Sequence, residues 1–80
     1  MVRAKFKCVS LTRESMGVSS EIGTKIKLLP VYGTNDPADE NSKFFRYTPS
    51  GVVELGTIND EAAKEFEIGK EYYLEFTKAN

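Results

Sequence analysis

The sequence predicts a mainly β (α+β) fold: a small five-stranded, partly open barrel or curled antiparallel sheet, with one short helix between strands 4 and 5. Three observations carry this expectation. Residues 2–8 alternate apolar and polar without a break, the period-two signature of a half-buried strand. Comparable short runs recur at 24–32, 43–47, 52–58 and 70–78, divided by segments rich in Gly, Ser, Pro and Asp. Only residues 59–67 read as a helix. The alternation also breaks at several points, and bends of that kind curl a sheet toward a barrel.

In the first strand Val2, Ala4, Phe6 and Cys8 share one side, and Arg3, Lys5 and Lys7 the other. Val9 and Leu11 then fall out of phase, which calls for a bulge or a sharp bend near Cys8–Val9. Residues 14–23 (ESMGVSSEIG) read as a hairpin loop. In the second strand Ile26 and Leu28 oppose Lys25 and Lys27, and the phase switches again around Pro30, which has no ladder donor. Residues 33–42 (GTNDPADENS) are polar and acidic and read as an exposed loop. Strands at 43–47 and 52–58 are joined by a turn in which Pro49 suits the i+1 position and Gly51 a left-handed closure. Val53 and Leu55 face the core, and Gly56 allows a further bulge. Asn59 is the expected N-cap of the helix, Asp60 and Glu61 suit its first turn, Ala62, Ala63 and Phe66 form its apolar stripe, and Gly69 ends it. In the last strand Tyr72, Leu74 and Phe76 point inward, and Tyr73, Glu75 and Thr77 outward.

The totals bound the function. Eighty residues, 40% apolar, make one small domain over residues 1–80. A core of that size is often completed by self-association, which is therefore expected here. One cysteine, Cys8, permits no internal disulfide and no zinc cluster. There is no histidine, so the commonest general base is missing. The chain is read as a non-enzyme without a cofactor. The N-terminus MVRAKFKC lacks an apolar run of signal-peptide length, and no segment approaches membrane-spanning length. No membrane partner is expected.

Charge is segregated. Residues 1–30 carry a net +4 and residues 31–80 a net −5, giving −1 overall. Lys5, Lys7, Lys25 and Lys27 thus form a candidate anion-binding face. The competing reading pairs Lys5 and Lys7 across strands with Glu71 and Glu75. A second candidate is the stretch FFRYTPSG. Arg46 and Tyr47 suit contact with a phosphate or a base, and Thr48 and Ser50, with the Gly51 amide, suit an anion-binding tip. Most such tetrapeptides are only turns. Asp36, Asp39 and Glu40 lack the spacing of a calcium loop, and metal binding is not expected.

The series ENSKFFRYTPSGVVEL, then IND with a pair of Ala, then FEIGKEYYLEFTKA, resembles a widespread set of small phage and prophage proteins over about Glu40 to Ala79. The family has no enzymatic signature and no assigned function. The resemblance implies a phage origin and, for a soluble protein, the host cytoplasm. The favoured function is an accessory binding protein that sequesters a small anionic ligand of nucleotide type, such as a host defence signal. The alternatives are a virion structural or decoration protein and, less favoured, a module binding single-stranded nucleic acid.

Overall fold

The structure, a computed structural model, describes residues 1–17, 21–32, 39, 41, 43 and 50–80. They form a curled antiparallel sheet of four strands and one short helix. The strands are β1 (Val2–Ser15), β2 (Ile22–Pro30), β3 (Val53–Thr57) and β4 (Glu71–Phe76), and the helix, α1 (Asp60–Ala63), lies between β3 and β4. The sheet order is β3-β2-β1-β4, so the first two strands are central and the last two are its edges.

The alternation in residues 2–8 does what its period dictates. Ala4, Phe6 and Cys8 are buried and meet Ile26 and Leu28 of β2, and Leu11, Val53, Phe66, Tyr72 and Leu74 pack around that cluster. The phase break is a bulge: Cys8 pairs with Leu28 and Ser10 with Lys27, leaving Val9 as the extra residue. Beyond it the odd residues of β1 take over the core side, so Leu11 and Arg13 face Ile26 and Thr24. On its other side Cys8, in phase with Val2, Ala4 and Phe6, carries the β1–β4 ladder one residue further. Cys8 donates to the Lys70 carbonyl at 2.9 Å and accepts from the Gly69 amide at 2.8 Å.

The hairpin is tighter than the composition of residues 14–23 implied. β1 continues to Ser15 and β2 begins at Ile22. Gly23 explains the extension, because a Cβ there would stand 2.7 Å from both Met16 Cγ and the Thr57 carbonyl oxygen. The missing side chain lets Met16 fold across the sheet. Gly56 makes no bulge. The β2–β3 register runs unbroken from Thr24↔Thr57 to Leu28↔Val53, and a Cβ on Gly56 would instead approach Met16 Sδ at 3.3 Å.

Asn59 caps α1 as its side-chain chemistry requires, accepting from the amides of Glu61 at 3.0 Å and Ala62 at 3.4 Å. The helix stops at Ala63, short of the expected Glu67. Gly69 is consequently not its C-cap. With φ of 92° it instead forms the left-handed corner that delivers its amide to Cys8. Between helix and corner the Tyr72 hydroxyl accepts from the Glu67 amide at 2.8 Å and donates to the Glu65 carbonyl at 3.0 Å, while its ring lies 5.1 Å from that of Phe66. No helix of the described residues is long and apolar enough to cross a membrane.

The segment read as an exposed loop holds the most buried polar side chain described, Asn41, 2% exposed. Asn41 and Lys43 are helical, with the Lys43 amide donating to the Asp39 carbonyl at 2.9 Å. The strand expected at 43–47 therefore does not start at Lys43; its remaining residues lie outside those described. The Asp39 carboxylate accepts from the Asn41 amide at 2.8 Å, the role of a helix-start cap rather than of a cation ligand. Asp36 and Glu40 lie outside the described residues.

Asn41 closes the β1–β2 ladder beyond Pro30, which stands opposite Phe6 and turns its donorless nitrogen away from β1. Past the proline Val31 donates to the Lys5 carbonyl at 3.2 Å. The reciprocal bond is replaced by the Asn41 amide group. Its Oδ1 accepts from the Lys5 amide at 2.6 Å, and its Nδ2 donates to the carbonyls of Val31 at 2.7 Å and Lys5 at 2.8 Å. A side chain 36 positions away thus stands in for a rung of the β1–β2 ladder.

Replacing Asn41 with Ala strands the Lys5 amide and the Val31 carbonyl in a place closed to water. At about 1–3 kcal/mol for each of the two groups, the expected loss is about 2–6 kcal/mol in urea unfolding. Asn41→Asp should cost as much, because a carboxylate has no donor to offer the two carbonyls. A midpoint unmoved by Asn41→Ala would show that the bridge bears no weight.

Candidate ligand-binding face

Strand pairing brings Lys5, Lys7, Lys25 and Lys27 to one surface. Lys5 and Lys7 project from β1 on the side away from the core, and Lys25 and Lys27 do so from β2. The two central strands supply the cations. The edge strands supply the acids on the same surface: Glu71 and Glu75 from β4 and Glu54 from β3.

The cations are not equivalent. Lys5 Nζ lies 3.7 Å from Glu71, and Arg3 lies 3.6 Å from Glu75. Both also approach the face of Tyr73, at 4.3 Å for the Arg3 guanidinium and 5.5 Å for the Lys5 ammonium. Lys25 sits between Glu14 at 3.5 Å and Glu54 at 4.0 Å. Among the described residues Lys7 and Lys27 have no carboxylate within 4.0 Å, although the register sets Lys7 across from Glu71 and Lys27 across from Glu54. Lys7 pairs with Leu29 and Lys27 with Ser10, so the two lysines are diagonal neighbours across the bulge. Val9 and Leu29, each 37% exposed, lie beside them. The cross-strand alternative holds in part: Lys5 forms a diagonal ion pair with Glu71, whereas Lys7, the register partner of Glu71, comes no closer than 4.0 Å to a described carboxylate.

Of the hairpin tip, Ser50 and Gly51 are described. Arg46, Tyr47 and Thr48 lie outside the described residues. Ser50 lines a different pocket, of about 190 Å³, with Val2, Ala4, Phe6, Val53 and Phe76 on the core side of the sheet. Gly51 has the positive φ that its place after the turn requires, 146°.

Sequence reasoning missed Arg13. The phase change at Val9 carries it to the core side, where its Nη1 donates to Thr24 Oγ1 at 3.1 Å and to Asp60 Oδ1 at 3.0 Å. It stands in an open groove of about 500 Å³ between sheet and helix, with Leu11, Ala63 and Phe66 as apolar walls. Arg13 ties the first turn of α1 to the sheet. Following the shifted phase past Leu11 by two residues was the signal that would have found it. Asn41 offered no signal, because nothing in an acidic, proline-containing segment marks one amide as buried.

Among the described residues no group of three or more acidic or cysteine side chains is arranged to hold a metal. Cys8 is fully buried and its thiol points to the Ser10 carbonyl at 3.9 Å, a core position. No protein-family model matches the chain, and neither a curated protein nor a solved structure matches it.

The paired cations contribute little to folding. Side chains in the Lys5–Glu71, Lys25–Glu14 and Lys25–Glu54 pairs are 36–49% exposed, and pairs of that kind are worth about 0.2–1 kcal/mol. Lys5→Ala and Lys25→Ala should each shift the unfolding free energy by under about 1 kcal/mol. A loss above about twice that in urea unfolding would make these side chains architectural rather than available to a ligand.

Proposed function

We propose that this protein is a non-enzymatic binding module that captures a small anionic ligand of nucleotide type on the outward face of β1 and β2. The observation that carries the reading is the pair Lys7 and Lys27. Among the described residues neither has a carboxylate within 4.0 Å, although Glu71 and Glu54 stand across from them in the register, while the neighbouring Lys5 and Lys25 are matched to acids. A phosphate bridging two ammonium groups makes charge-assisted hydrogen bonds without first breaking an ion pair. Val9 and Leu29 offer the adjoining apolar surface that a base or sugar edge would cover.

The size of the site favours a small ligand over a polymer. Two lysines neutralise one or two phosphates, whereas domains dedicated to nucleic acid carry a basic excess along a whole groove. Here the flanking strands are acidic and the chain is net −1. Sequestration needs no catalyst, in keeping with a chain that has no histidine. The likeness of residues 40–79 to phage proteins supports an accessory role in an infected cell, against a host signal of this chemistry.

Thermal denaturation against cyclic and linear nucleotides, inorganic phosphate and a short single-stranded oligonucleotide tests the reading. A ligand present at 100 times its Kd stabilises by about 2.7 kcal/mol, which raises Tm by about 10 °C or more in a domain this small. At least one nucleotide should do so, and Lys7→Ala with Lys27→Ala should abolish the rise without altering the unliganded Tm by more than a few degrees. If no nucleotide moves Tm, the proposal fails. If the oligonucleotide alone does so, with a steep salt dependence, a strand-binding module replaces it.

A further inference from the structure

Among the described residues β4 has no strand beyond it, and the bonding of β1 fixes which of its backbone groups face away from the sheet. Lys5 directs its amide and carbonyl toward the β2 side, to Asn41 and Val31. Cys8, of opposite parity, directs its own toward Gly69 and Lys70 on the β4 side. Strand alternation then commits Val2, Ala4 and Phe6 to Phe76, Leu74 and Tyr72. The amides and carbonyls of Glu71, Tyr73 and Glu75 turn outward, along a row with no partner strand among the described residues.

Of the usual guards that edge has two carboxylates, which repel another acidic edge and leave it open to a basic one. The segment EYYLEF has no proline, glycine or bulge, and its register against β1 is unbroken over all six positions. Its carboxylates reach back toward Lys5 and Arg3. Tyr73 is 50% exposed and Phe76 55%.

We propose that the β4 edge receives an extended segment of a partner protein in which basic and apolar residues alternate. β1 is the template for this partner. On one side of the sheet it sets Arg3, Lys5 and Lys7 opposite Glu75, Tyr73 and Glu71. On the other it sets Val2, Ala4 and Phe6 opposite Phe76, Leu74 and Tyr72. A strand added at the open side meets the same two rows. Its cations share Glu71 and Glu75 and the Tyr73 ring, and its apolar residues cover Phe76 and Leu74. A second copy of this chain fits worse. Two β4 strands paired about Tyr73 set Glu71 against Glu75, and the other edge, β3, brings Glu54 to the same surface. The inference is independent of any ligand on the lysine face.

The test is a titration of the 15N-labelled full chain with the capped peptide KVKYKVK, and with KKVYVKK, which has the same composition and charge but a broken alternation. The amides of Glu71, Tyr73 and Glu75 should shift and saturate with the first peptide, and the second should bind about tenfold more weakly. Tyr73→Pro deletes one outward donor and leaves the β1–β4 bonds intact, so it should weaken the first peptide by about tenfold, roughly one lost hydrogen bond. Glu71→Gln with Glu75→Gln should weaken it too, which keeps the test decisive if the proline variant does not fold. Equal binding of the two peptides, or shifts confined to other residues, would overturn the proposal. So would shifts at the same three amides that grow with protein concentration alone, since these would make the occupant a second copy.

Discussion

The sheet depends on one side-chain amide. Past Pro30 only half of the next β1–β2 rung is direct: Val31 donates to the Lys5 carbonyl, and the Lys5 amide turns to Asn41 in place of the Val31 carbonyl. Asn41 fills the gap with an acceptor for Lys5 and donors for Val31 and Lys5. The geometry is demanding because the amide must present both polarities at once. Asp, Leu and Ala each fail in a different way: the first repels two carbonyls, the second supplies nothing, and the third leaves space. Asp39 prepares the position by capping the turn that carries Asn41. The bridge thereby links an acidic connecting segment, distant in sequence, to the middle of the sheet.

The bulge at Val9 is the second organising feature, and its consequences reach both faces. On the outer face it sets Lys7 and Lys27 on a diagonal with Val9 beside them. On the core face it exchanges even for odd residues and so carries Arg13 to Asp60, fastening α1. Just before it, Cys8 bonds to Gly69 and Lys70 in the phase of residues 2–6 and extends the contact with β4 beyond Glu71. A single inserted residue thus couples the candidate ligand face to the anchoring of the helix. An uninterrupted β1 would have kept Arg13 among the outward cations.

The strands with clean alternation were legible. Residues 2–8 and 24–28 have only one arrangement that buries their apolar set, and the N-cap at Asn59 follows from its amide and the acids after it. The bulge was legible as a phase error. What failed were readings from composition. Gly and Ser at 17–23 suggested a loop, yet Gly23 belongs to β2 because a bare Cα is needed beneath Met16. Polarity suggested exposure for Asn41, yet a buried amide is stable wherever all its hydrogen bonds are made. Gly69 suggested a helix end, yet its left-handed φ serves a strand corner five residues beyond Lys64. Lys5 and Lys7 illustrate the same limit at the site. Their shared face followed from periodicity, whereas the diagonal ion pair of Lys5 with Glu71 depends on strand register, which no local pattern contains.

The arrangement of charge across the sheet bears on what each surface can recognise. Cations occupy the two central strands and acids the two edges, so the positive field is local and decays within about a Debye length, roughly 8 Å at physiological salt. An approaching polyanion meets the acidic edges wherever it extends beyond the centre, and each such contact opposes the gain made at Lys7 and Lys27. On the proposed reading, a ligand with one or two phosphates would reach only Lys7 and Lys27 and meet fewer of those acids, Glu71 and Glu54 across from the two lysines being the nearest. The frame has the reverse meaning for a polypeptide. At the β4 edge Glu71 and Glu75 face a neighbour whose backbone is neutral and whose side chains can be chosen, and a basic strand there adds attraction to the main-chain bonds. The same carboxylates that narrow the centre to small anions would therefore select a cationic partner at the rim.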